Sequence, residues 1–308
     1  MKKILITGVT GFLGSHIAEH FVLKNYHIMG LKRSTSSISK CAGFFDKLSW
    51  LNIDETEWKQ KAVLFKPDFI VHTAWTGVTS NARNDWGTQI QNIDLLYSIL
   101  QIAEEVKIKK IIGLGSQAEY GCLNAVVDEN YPTNPDTAYG AIKLACSELM
   151  KTFCESKSID WYWLRLFSFF GEREDESWLI PSVIKKMMTS SSMDLTPGEQ
   201  RYAYLYVKDF AKAIENIIEY SSKSGIYNLS SDKAISLKTL LNMIKNIVNP
   251  NFELNFGALP YRVNQSMLIE GDITKFNSEI CKIDTSRFDE KLMKTIKYYR
   301  IKFKNEKS

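Results

Sequence analysis

Short apolar runs alternate with segments of helical periodicity through the first half of the chain. The runs have the length of buried strands and lie at residues 4–6, 28–31, 69–71, 110–114 and 161–165. Apolar residues recur at helical spacing over residues 12–24, 88–106 and 137–157. Because strands and helices take turns, the pattern predicts an α/β fold, a doubly wound parallel sheet of the Rossmann type with helices on both faces.

The alternation becomes irregular after residue 166. The later pattern predicts helices at 179–188, 208–220, 236–249 and 287–300, and strands at 204–207 and 226–229. We therefore expect a dinucleotide-binding Rossmann domain over residues 1–166, to which residues 204–229 return. A smaller, mostly C-terminal α/β substrate domain would take residues 167–203 and 230–308 and share a cleft with the first.

The composition is that of an ordinary globular protein. Of 308 residues, 44% are hydrophobic, and 39 basic against 35 acidic side chains leave a formal charge of +4. These values exclude a disordered or collagenous chain, and the charge is too weak to indicate nucleic acid. Five cysteines without CxxC spacing favour a reducing cytoplasm. The four histidines lack a metal-binding frame and no apolar stretch reaches the length of a membrane span, so we expect neither a metal nor a membrane.

A glycine-rich turn follows the first predicted strand. Gly8, Gly11 and Gly14 stand at GxxGxxG spacing between that strand and the first helix. Glycine permits the tight turn, the approach of backbone N–H groups to a pyrophosphate and the packing of helix on strand, and the helix N-terminus adds partial positive charge. The spacing indicates a dinucleotide site. Its expected contacts are Gly8, Thr10, Gly11, Phe12, Leu13 and Gly14.

The end of the second strand carries basic residues where a carboxylate would bind the ribose of NAD. Residues 31–34 hold no acid, and Lys32, Arg33 and Ser34 could bind a 2′-phosphate, so NADPH (NADP+) is the expected cofactor. The alternative is that Lys32 and Arg33 are only solvated and the cofactor is NAD. The remaining cofactor contacts are expected at Asn52 and Ile53 near the adenine, and at Thr73, Ala74 and Trp75.

A tyrosine and a lysine mark a candidate reaction centre. Tyr139 and Lys143 are four residues apart, on one face of the helix at 137–157. Tyrosine normally has a pKa of ~10, and the Lys143 ammonium with the charge of the nicotinamide would lower it toward working pH. Tyr139 could then protonate a carbonyl oxygen as hydride arrives at its carbon. Lys143 would also bind the nicotinamide ribose, and the hydroxyl of Ser116 could bind the same carbonyl oxygen.

Together these motifs resemble the extended short-chain dehydrogenase/reductase family, the nucleotide-sugar epimerases, dehydratases and reductases. The resemblance covers nearly the whole chain and rests on TGVTGFLGSH, GSQAEYG, YGAIK, TPGEQRYAYLYVKDFAKAI and FGALPYRVNQSM. It implies a nucleoside-diphosphate sugar (CDP, dTDP or GDP linked) bound by the smaller domain. It also implies a homodimer formed through the helices at 88–106 and 137–157, and a role for Asn92 in the proton relay, the alternative for Asn92 being an ordinary solvated helix residue.

Two positions restrict which of the family's reactions this chain is expected to catalyse. Family 4,6-dehydratases carry an Asp–Glu pair directly after the residue that matches Ser116, and here those positions hold Gln117 and Ala118. A dehydratase without these carboxylates lacks its acid and base, and GDP-fucose-forming epimerase-reductases carry a cysteine where Ala118 stands. Hydride transfer at a sugar carbonyl remains. The segment FGALPYRVNQSM resembles CDP- or dTDP-linked 4-keto-deoxyhexose reductases, such as abequose synthases and D-fucose-forming reductases.

Arginines and aromatic residues are the candidate substrate contacts. Arg201 and Arg262 could hold the two phosphates, the alternative for each being a surface arginine. The expected wall of the sugar and base pocket consists of Trp75, Arg83, Asn84, Gln117 and Phe170. For Trp75 and Phe170 the alternative is a place in the hydrophobic core.

The expected function is NADPH-dependent reduction of the C4 carbonyl of a nucleotide-linked 4-keto-6-deoxy (or 3,6-dideoxy) hexose, for a surface polysaccharide such as a lipopolysaccharide O-antigen. Two alternatives stay open. One is an NAD-dependent nucleotide-sugar 4-epimerase, against which Lys32 and Arg33 count. The other is a non-catalytic NADP-binding regulatory protein, against which the intact pair of Tyr139 and Lys143 counts.

Overall fold

The computed structural model describes residues 1–79, 81–220 and 223–306. Its strands are β1 (Lys3–Thr7), β2 (His27–Lys32), β3 (Leu48–Asn52), β4 (Phe69–His72), β5 (Lys110–Leu114), β6 (Asn124–Val127), β7 (Asp160–Leu166), β8 (Ser168–Phe170), β9 (Ser192–Leu195), β10 (Arg201–Tyr202), β11 (Tyr204–Tyr206), β12 (Gly225–Leu229), β13 (Ile235–Ser236), β14 (Glu253–Phe256) and β15 (Leu268–Gly271). Its α-helices are α1 (Phe12–Leu23), α2 (Trp58–Phe65), α3 (Trp86–Glu105), α4 (Ala138–Ser156), α5 (Leu179–Thr189), α6 (Val207–Tyr220), α7 (Leu237–Val248), α8 (Thr274–Glu279) and α9 (Phe288–Asn305).

Seven strands form one parallel sheet in the order β12–β7–β5–β4–β1–β2–β3. β1 is central, with Ile4 opposite Ile28 of β2 on one side and Phe69 of β4 on the other. The chain crosses the sheet between β3 and β4, so the strand order reverses at β1. The carboxyl ends of β1 and β4 border the crevice where sheets of this kind bind ligands. The predicted doubly wound α/β fold is confirmed.

Helices cover both faces of the sheet because its strands are apolar on both faces. In β1, Ile4 and Ile6 belong to the cluster shared with α1 and α6, whereas Leu5 belongs to the cluster shared with α3 and α4. All three side chains are fully buried. A strand buried on both faces has a continuous apolar run instead of an alternating pattern, which is why the run at 4–6 predicted it.

The residues after β7 build most of a second part. There α5, α7 and α9 pack around a third apolar cluster that includes Ile184, Leu241 and Ile296. A four-stranded sheet has the order β13–β10–β15–β6, and β6 comes from the first half of the chain, with Asn124 opposite Leu268. β12 joins the large sheet beside β7. The two parts are therefore tied together by strand pairing, while the domain boundaries stay a prediction.

The cysteines are free thiols. Burial raises the pKa of Cys41 and Cys146 to about 11, so both stay protonated near neutral pH and pack as small apolar side chains. Among the described residues, no three His, Cys, Asp or Glu side chains come close enough together to hold a metal ion. None of the described helices has the length and hydropathy that a bilayer crossing needs.

Candidate functional site

The glycine turn joins β1 to α1 with no room for side chains. Gly8 has a φ of +65°, and a Cβ there would lie 2.7 Å from the backbone of Ala74. A Cβ on Gly14 would lie 2.2 Å from the carbonyl oxygen of Gly8. Because carbon and oxygen atoms that are not bonded do not approach so closely, α1 can rest on the β1 turn only when both positions are glycine.

The N-terminus of α1 is suited to an anion. Its N-cap, Gly11, has no side chain to accept from the first N–H groups, and the first turn holds no acidic residue. Phe12 and Leu13 pack their side chains on the third apolar cluster, and Gly11 is exposed. The first N–H groups and the helix dipole therefore fit the pyrophosphate of a dinucleotide, with Thr10 in the turn before them.

Thr7 and His72 join the ends of β1 and β4. The Thr7 hydroxyl accepts hydrogen bonds from the backbone N–H groups of Thr73 (3.1 Å) and Ala74 (3.0 Å), so it donates its own proton to Nδ1 of His72, 2.9 Å away. His72 is thereby a neutral imidazole with its proton on Nε2, and burial lowers its pKa to about 3. These bonds fix Thr73 and Ala74 beside the glycine turn, where cofactor contacts were expected.

A carboxylate from the β3 end reaches the basic segment at the end of β2. Lys32 is half-buried, and Arg33 and Ser34 are exposed. The Asp54 carboxylate accepts hydrogen bonds from the backbone N–H (3.0 Å) and the hydroxyl of Ser34, which lower the pKa of Asp54. Residues 31–34 hold no acid, but the neighbouring strand brings one, because β2 and β3 are parallel and end at the same edge.

Asn52 and Ile53, expected near the adenine, lie at this same edge. The N–H of Ile53 donates to the carbonyl of Lys32 (2.9 Å), and the Asn52 amide donates to the Glu55 carboxylate (2.8 Å). The parallel sheet therefore brings the predicted cofactor residues from β1, β2, β3 and β4 to one edge. Their contact with a cofactor stays a prediction.

Tyr139 and Ser116 meet at the carboxyl edge of the sheet. Tyr139 lies in the first turn of α4, and Ser116 caps a 3-10 turn (Gln117–Glu119) that follows β5. The Ser116 hydroxyl lies close enough to the Tyr139 phenol to act on its pKa, and both residues are 8% exposed. Burial raises the pKa of Tyr139, while the charge of Arg83 and the Ser116 hydroxyl oppose the rise. The phenol therefore carries its proton near neutral pH.

Lys143 lies on the same face of α4, but its amine is held by other groups. Its Nζ donates to the carbonyl of Leu114 (2.6 Å) and lies 3.5 Å from the ring centroid of Trp75 and 5.8 Å from that of Tyr139. Burial lowers the pKa of Lys143 to about 7, so near neutral pH the amine carries only part of a positive charge. Burial raises the pKa of Tyr139 in this structure, and its lowering by Lys143 together with the nicotinamide stays a prediction.

Two buried amides of α3 hold the loop that follows β4. Gln89 accepts a hydrogen bond from Nε1 of Trp75 (2.9 Å) and donates to two carbonyls of the loop. Asn92 accepts from the N–H of Thr76 (2.8 Å) and donates to its carbonyl (3.1 Å). Asn92 is thus a buried, loop-holding residue and not a solvated one. Nothing in the sequence marks Gln89, because a glutamine in a helix is usually solvated.

Arg83 comes from this loop and lies against Tyr139. Its Cζ is 4.9 Å from the ring centroid of Tyr139 and 5.9 Å from that of Trp178. Trp75 approaches Tyr139 edge-on, with ring centroids 5.9 Å apart. Asn84 accepts a hydrogen bond from a backbone N–H at the start of α4 (3.3 Å). The loop thereby places one indole and one guanidinium at the phenol.

A buried ion pair supports the turn that carries Ser116. Glu119 accepts hydrogen bonds from the N–H of Ser116 (2.8 Å), Nε of Arg165 (2.8 Å) and a buried indole (3.0 Å). Glu119 is 0% and Arg165 3% exposed. Sequence reasoning missed this pair, since the two residues are far apart along the chain. With Glu119 occupied, the turn presents Gln117 and Ala118 beside Ser116, and neither can act as an acid or base.

The two arginines expected to hold phosphate are both exposed. Arg201, on β10, is exposed and donates to the carbonyl of Ala234 (3.1 Å). Arg262 is exposed in the loop before β15, and its charge acts on Tyr202. The contact of both arginines with phosphate stays a prediction.

Phe170 is a core residue. It is 0% exposed and packs against Tyr206 and Phe288, with ring centroids 5.5 Å and 5.2 Å apart. Its ring has no surface left for a ligand, so its expected place in the substrate pocket is wrong. The cause is the pairing of β8 with β11, which turns Phe170 into the third apolar cluster.

A cavity of about 560 Å³ lies beside the Arg262 loop. Its lining includes Tyr120, Cys122, Asn134 and Asp136 from the first half of the chain and Asn264 from the loop. The cavity is therefore lined from both halves of the chain.

Comparisons with known proteins identify the family of this chain. The model of the NAD dependent epimerase/dehydratase family matches residues 4–230. A CDP-abequose synthase of Salmonella muenchen is 28% identical over 277 residues, which cover 86% of this chain and 87% of the relative. A putative UDP-glucose 4-epimerase of Methanocaldococcus jannaschii is 30% identical over 254 residues, which cover 79% and 81%.

A solved structure of the same fold is the UDP-N-acetylglucosamine 4-epimerase of Methanobrevibacter ruminantium M1 in complex with UDP-N-acetylmuramic acid. It has a TM-score of 0.88 at 24% identity and covers 98% of this chain and 99% of its own. The matched family segment contains the glycine turn, Ser116 and the pair of Tyr139 and Lys143. The resemblance drawn from the motifs is thereby confirmed: the chain belongs to the NAD dependent epimerase/dehydratase family, within the extended short-chain dehydrogenases/reductases.

Proposed function

We propose that the protein reduces the C4 carbonyl of a nucleotide-linked 4-keto-6-deoxy (or 3,6-dideoxy) hexose with NADPH, in the synthesis of a surface polysaccharide. The turn at Ser116 carries the proposal. It holds one hydroxyl beside Tyr139, places Gln117 and Ala118 next to that hydroxyl, and uses Glu119 for the ion pair with Arg165. A phenol and a hydroxyl suffice for a reduction, whereas elimination of water needs a further acid and base that this turn does not supply.

The reaction requires the protein to transfer one proton. NADPH, when bound, supplies the hydride that adds to C4. The hydroxyls of Ser116 and Tyr139 would donate hydrogen bonds to the carbonyl oxygen, and the phenolic proton would pass to that oxygen as negative charge develops on it. The C=O double bond becomes a CH–OH group, and the phenolate of Tyr139 regains a proton from water. The raised pKa of Tyr139 keeps the phenol protonated before the step.

In this proposal, the second part of the molecule binds the nucleotide of the substrate. The likeness to a CDP-abequose synthase supports a CDP-linked sugar. Arg262 is the proposed phosphate contact, because its guanidinium is exposed and the cavity of about 560 Å³ lies beside its loop. Arg201, whose guanidinium already donates to the carbonyl of Ala234, is left out of this contact.

A screen of NADPH oxidation with CDP-, dTDP- and GDP-4-keto-6-deoxyhexoses tests the proposal, with NMR of the product. We expect turnover of one of these sugars and a Tyr139→Phe variant whose kcat falls by about 10²–10⁴-fold. Tyr220→Phe, at a tyrosine that is 77% exposed on α6, is the matched control. Near-normal turnover by Tyr139→Phe would refute the proposal.

The choice of NADPH is proposed from Lys32 and Arg33 at the end of β2, and Asp54, which follows β3, is the opposing charge beside them. We expect kcat/KM to be higher with NADPH than with NADH. Arg33→Ala should lower this ratio, and Asp54→Asn should raise it because it removes a negative charge near the 2′-phosphate. A preference for NADH that neither variant changes would assign the cofactor as NAD.

A 4-epimerase is the second candidate, favoured by the likeness to the putative UDP-glucose 4-epimerase. An epimerase keeps its nicotinamide cofactor through the cycle, since it returns the hydride to the same carbon. Purified protein would then contain bound NAD and convert a UDP-sugar without added NADPH. A reductase would lack such activity and consume one NADPH for each product.

A homodimer through α3 and α4 is part of the proposal. The two helices pack together, and α3 leaves Ile90 and Tyr97 about half exposed, at 50% and 47%. These apolar side chains are seven residues apart and so share one helix face. We expect a dimer by light scattering and a monomer for the Tyr97→Glu variant. A wild-type monomer would exclude this assembly.

A further inference from the structure

Tyr139 has a cationic neighbour besides the lysine of its own helix. The Cζ of Arg83 lies 4.9 Å from the ring centroid of Tyr139, whereas Nζ of Lys143 lies 5.8 Å away. A guanidinium keeps its charge throughout the working pH range. The amine of Lys143 is buried, has a pKa lowered to about 7 and is bonded to the carbonyl of Leu114. Near neutral pH, Arg83 is therefore the cation that lies nearer to the ring of Tyr139 and carries the fuller charge.

Several contacts hold Arg83 in this place. Its Nε donates to the carbonyl of Val78 (3.1 Å), and its own carbonyl accepts from the N–H of Tyr139 (2.8 Å). Trp178, from the loop before α5, is within cation–π distance at 5.9 Å. The buried amide of Gln89 binds two carbonyls of the loop that carries Arg83. The guanidinium is thus held by both its backbone and its side chain.

We propose that Arg83 is a positioning residue for the proton transfer, which stabilises the negative charge left on Tyr139 when the phenol gives up its proton. The proposal rests on the proposed reduction and adds a residue to it. The charged groups that act on Tyr139 are Arg83 and the carboxylate of Glu119, which has the opposite effect, with Lys143 further off. Loss of the Arg83 charge should therefore leave the proton more firmly bound to the phenol.

The first test needs neither substrate nor turnover. Protein labelled with carbon-13 at the tyrosine ring carbon that bears the hydroxyl is titrated by NMR in the presence of NADP+, and the Tyr139→Phe variant assigns the signal. We expect Arg83→Gln to raise the pKa of Tyr139 by roughly one unit, and Arg83→Lys to keep it near the wild-type value. An unchanged titration, or no ionisation of Tyr139 in either protein up to about pH 11, would overturn the proposal.

The second test uses the pH dependence of kcat/KM in the reductive direction. The acid form of Tyr139 is needed there, so Arg83→Gln should move the basic limb to higher pH, and the reverse oxidation near neutral pH should slow by about tenfold. Arg262→Gln, at the proposed phosphate contact, is the comparison and should raise KM without moving the basic limb. If Arg83→Gln only raises KM, Arg83 binds substrate and the proposal is wrong.

The two tests separate this proposal from the proposed function. A wild-type protein that reduces none of the sugars refutes the reduction, while the NMR titration still decides the effect of Arg83 on Tyr139. Arg83 lies in a loop and is only partly buried, so the variants should fold. Circular dichroism checks this, and Arg83→Met, which keeps the length of the side chain without charge, is a second neutral variant.

Discussion

Gly14 shows how one missing methyl group determines a binding site. Its Cα lies so close to the turn that a Cβ would come within 2.2 Å of the Gly8 carbonyl oxygen, which is backbone and cannot rotate away. This contact excludes alanine at position 14, although the intrinsic helix propensity of alanine is higher than that of glycine. The sequence identifies Gly14, because the GxxGxxG spacing indicates which backbone segments approach each other.

We expect Gly14→Ala to weaken binding of the dinucleotide at least tenfold. The added methyl group would push α1 off the β1 turn and displace the N–H groups that hold the pyrophosphate. Fluorescence titration with NADPH measures the effect. Gly43→Ala is the matched control, since a Cβ there meets nothing within 4 Å. Equal binding by the two variants would contradict this account of the turn.

The 3-10 turn after β5 owes its shape to a charge from another element. Ser116 and Glu119 form a capping box, and Arg165 of β7 neutralises the carboxylate inside the protein. The short segment GSQAEYG predicts a turn with a hydroxyl, but local sequence does not indicate that its glutamate is buried. A buried carboxylate requires a partner, and here the neighbouring strand of the sheet supplies it.

Glu119→Gln should destabilise the protein by about 3–5 kcal/mol, because it leaves the buried Arg165 without a counter-charge. Urea unfolding measures the free energy of unfolding. The control is Glu104→Gln, which breaks an exposed pair with Lys157 (2.7 Å; 45% and 42% exposed) and should cost less than about 1 kcal/mol. Similar losses in the two variants would show that Glu119 is not a structural anion.

Two buried histidines make the stability of the whole molecule depend on pH. Nδ1 of His16 is 2.7 Å from Nη2 of Arg173, and its Nε2 donates to the carbonyl of Glu172 (2.7 Å), so α1 is joined to the loop after β8. Burial, and then the charge of Arg173, lower the pKa of His16 to about 3. Burial does the same for His72. Both remain neutral in the folded protein where an unfolded chain, with a pKa of ~6.5, would bind a proton.

The lowered pKa values of His16 and His72 determine the direction in which stability changes with pH. The contribution of these two neutral histidines to the free energy of unfolding is fully present above about pH 6.5. It is lost as pH falls toward 3, because unfolding then takes up protons. We expect His16→Gln to reduce the slope of the unfolding free energy between pH 6 and 4 by up to ~1.4 kcal/mol per pH unit, one proton fewer. Urea unfolding at several pH values gives both slopes. Equal slopes would mean that His16 is protonated in the folded state.

The large sheet was more predictable than the small ones. Strands buried on both faces, such as β1, β5 and β7, have apolar runs that the sequence shows directly. β3, at the edge, mixes buried and half-buried residues and was not predicted. β10 and β13 have two residues each and pair with segments distant in sequence, so no periodicity marks them.

The sequence by itself determined the doubly wound sheet, the glycine turn, and the proximity of Ser116 to Tyr139, because each follows from local spacing or from the common edge of parallel strands. Only the tertiary structure decided which partner each charged group contacts. It placed Asp54 on Ser34, Arg165 on Glu119 and Arg83 on Tyr139, and it put Phe170 in the core. Hydrophobic periodicity is a local property, whereas a Coulomb interaction depends on distances in space that chain separation does not specify.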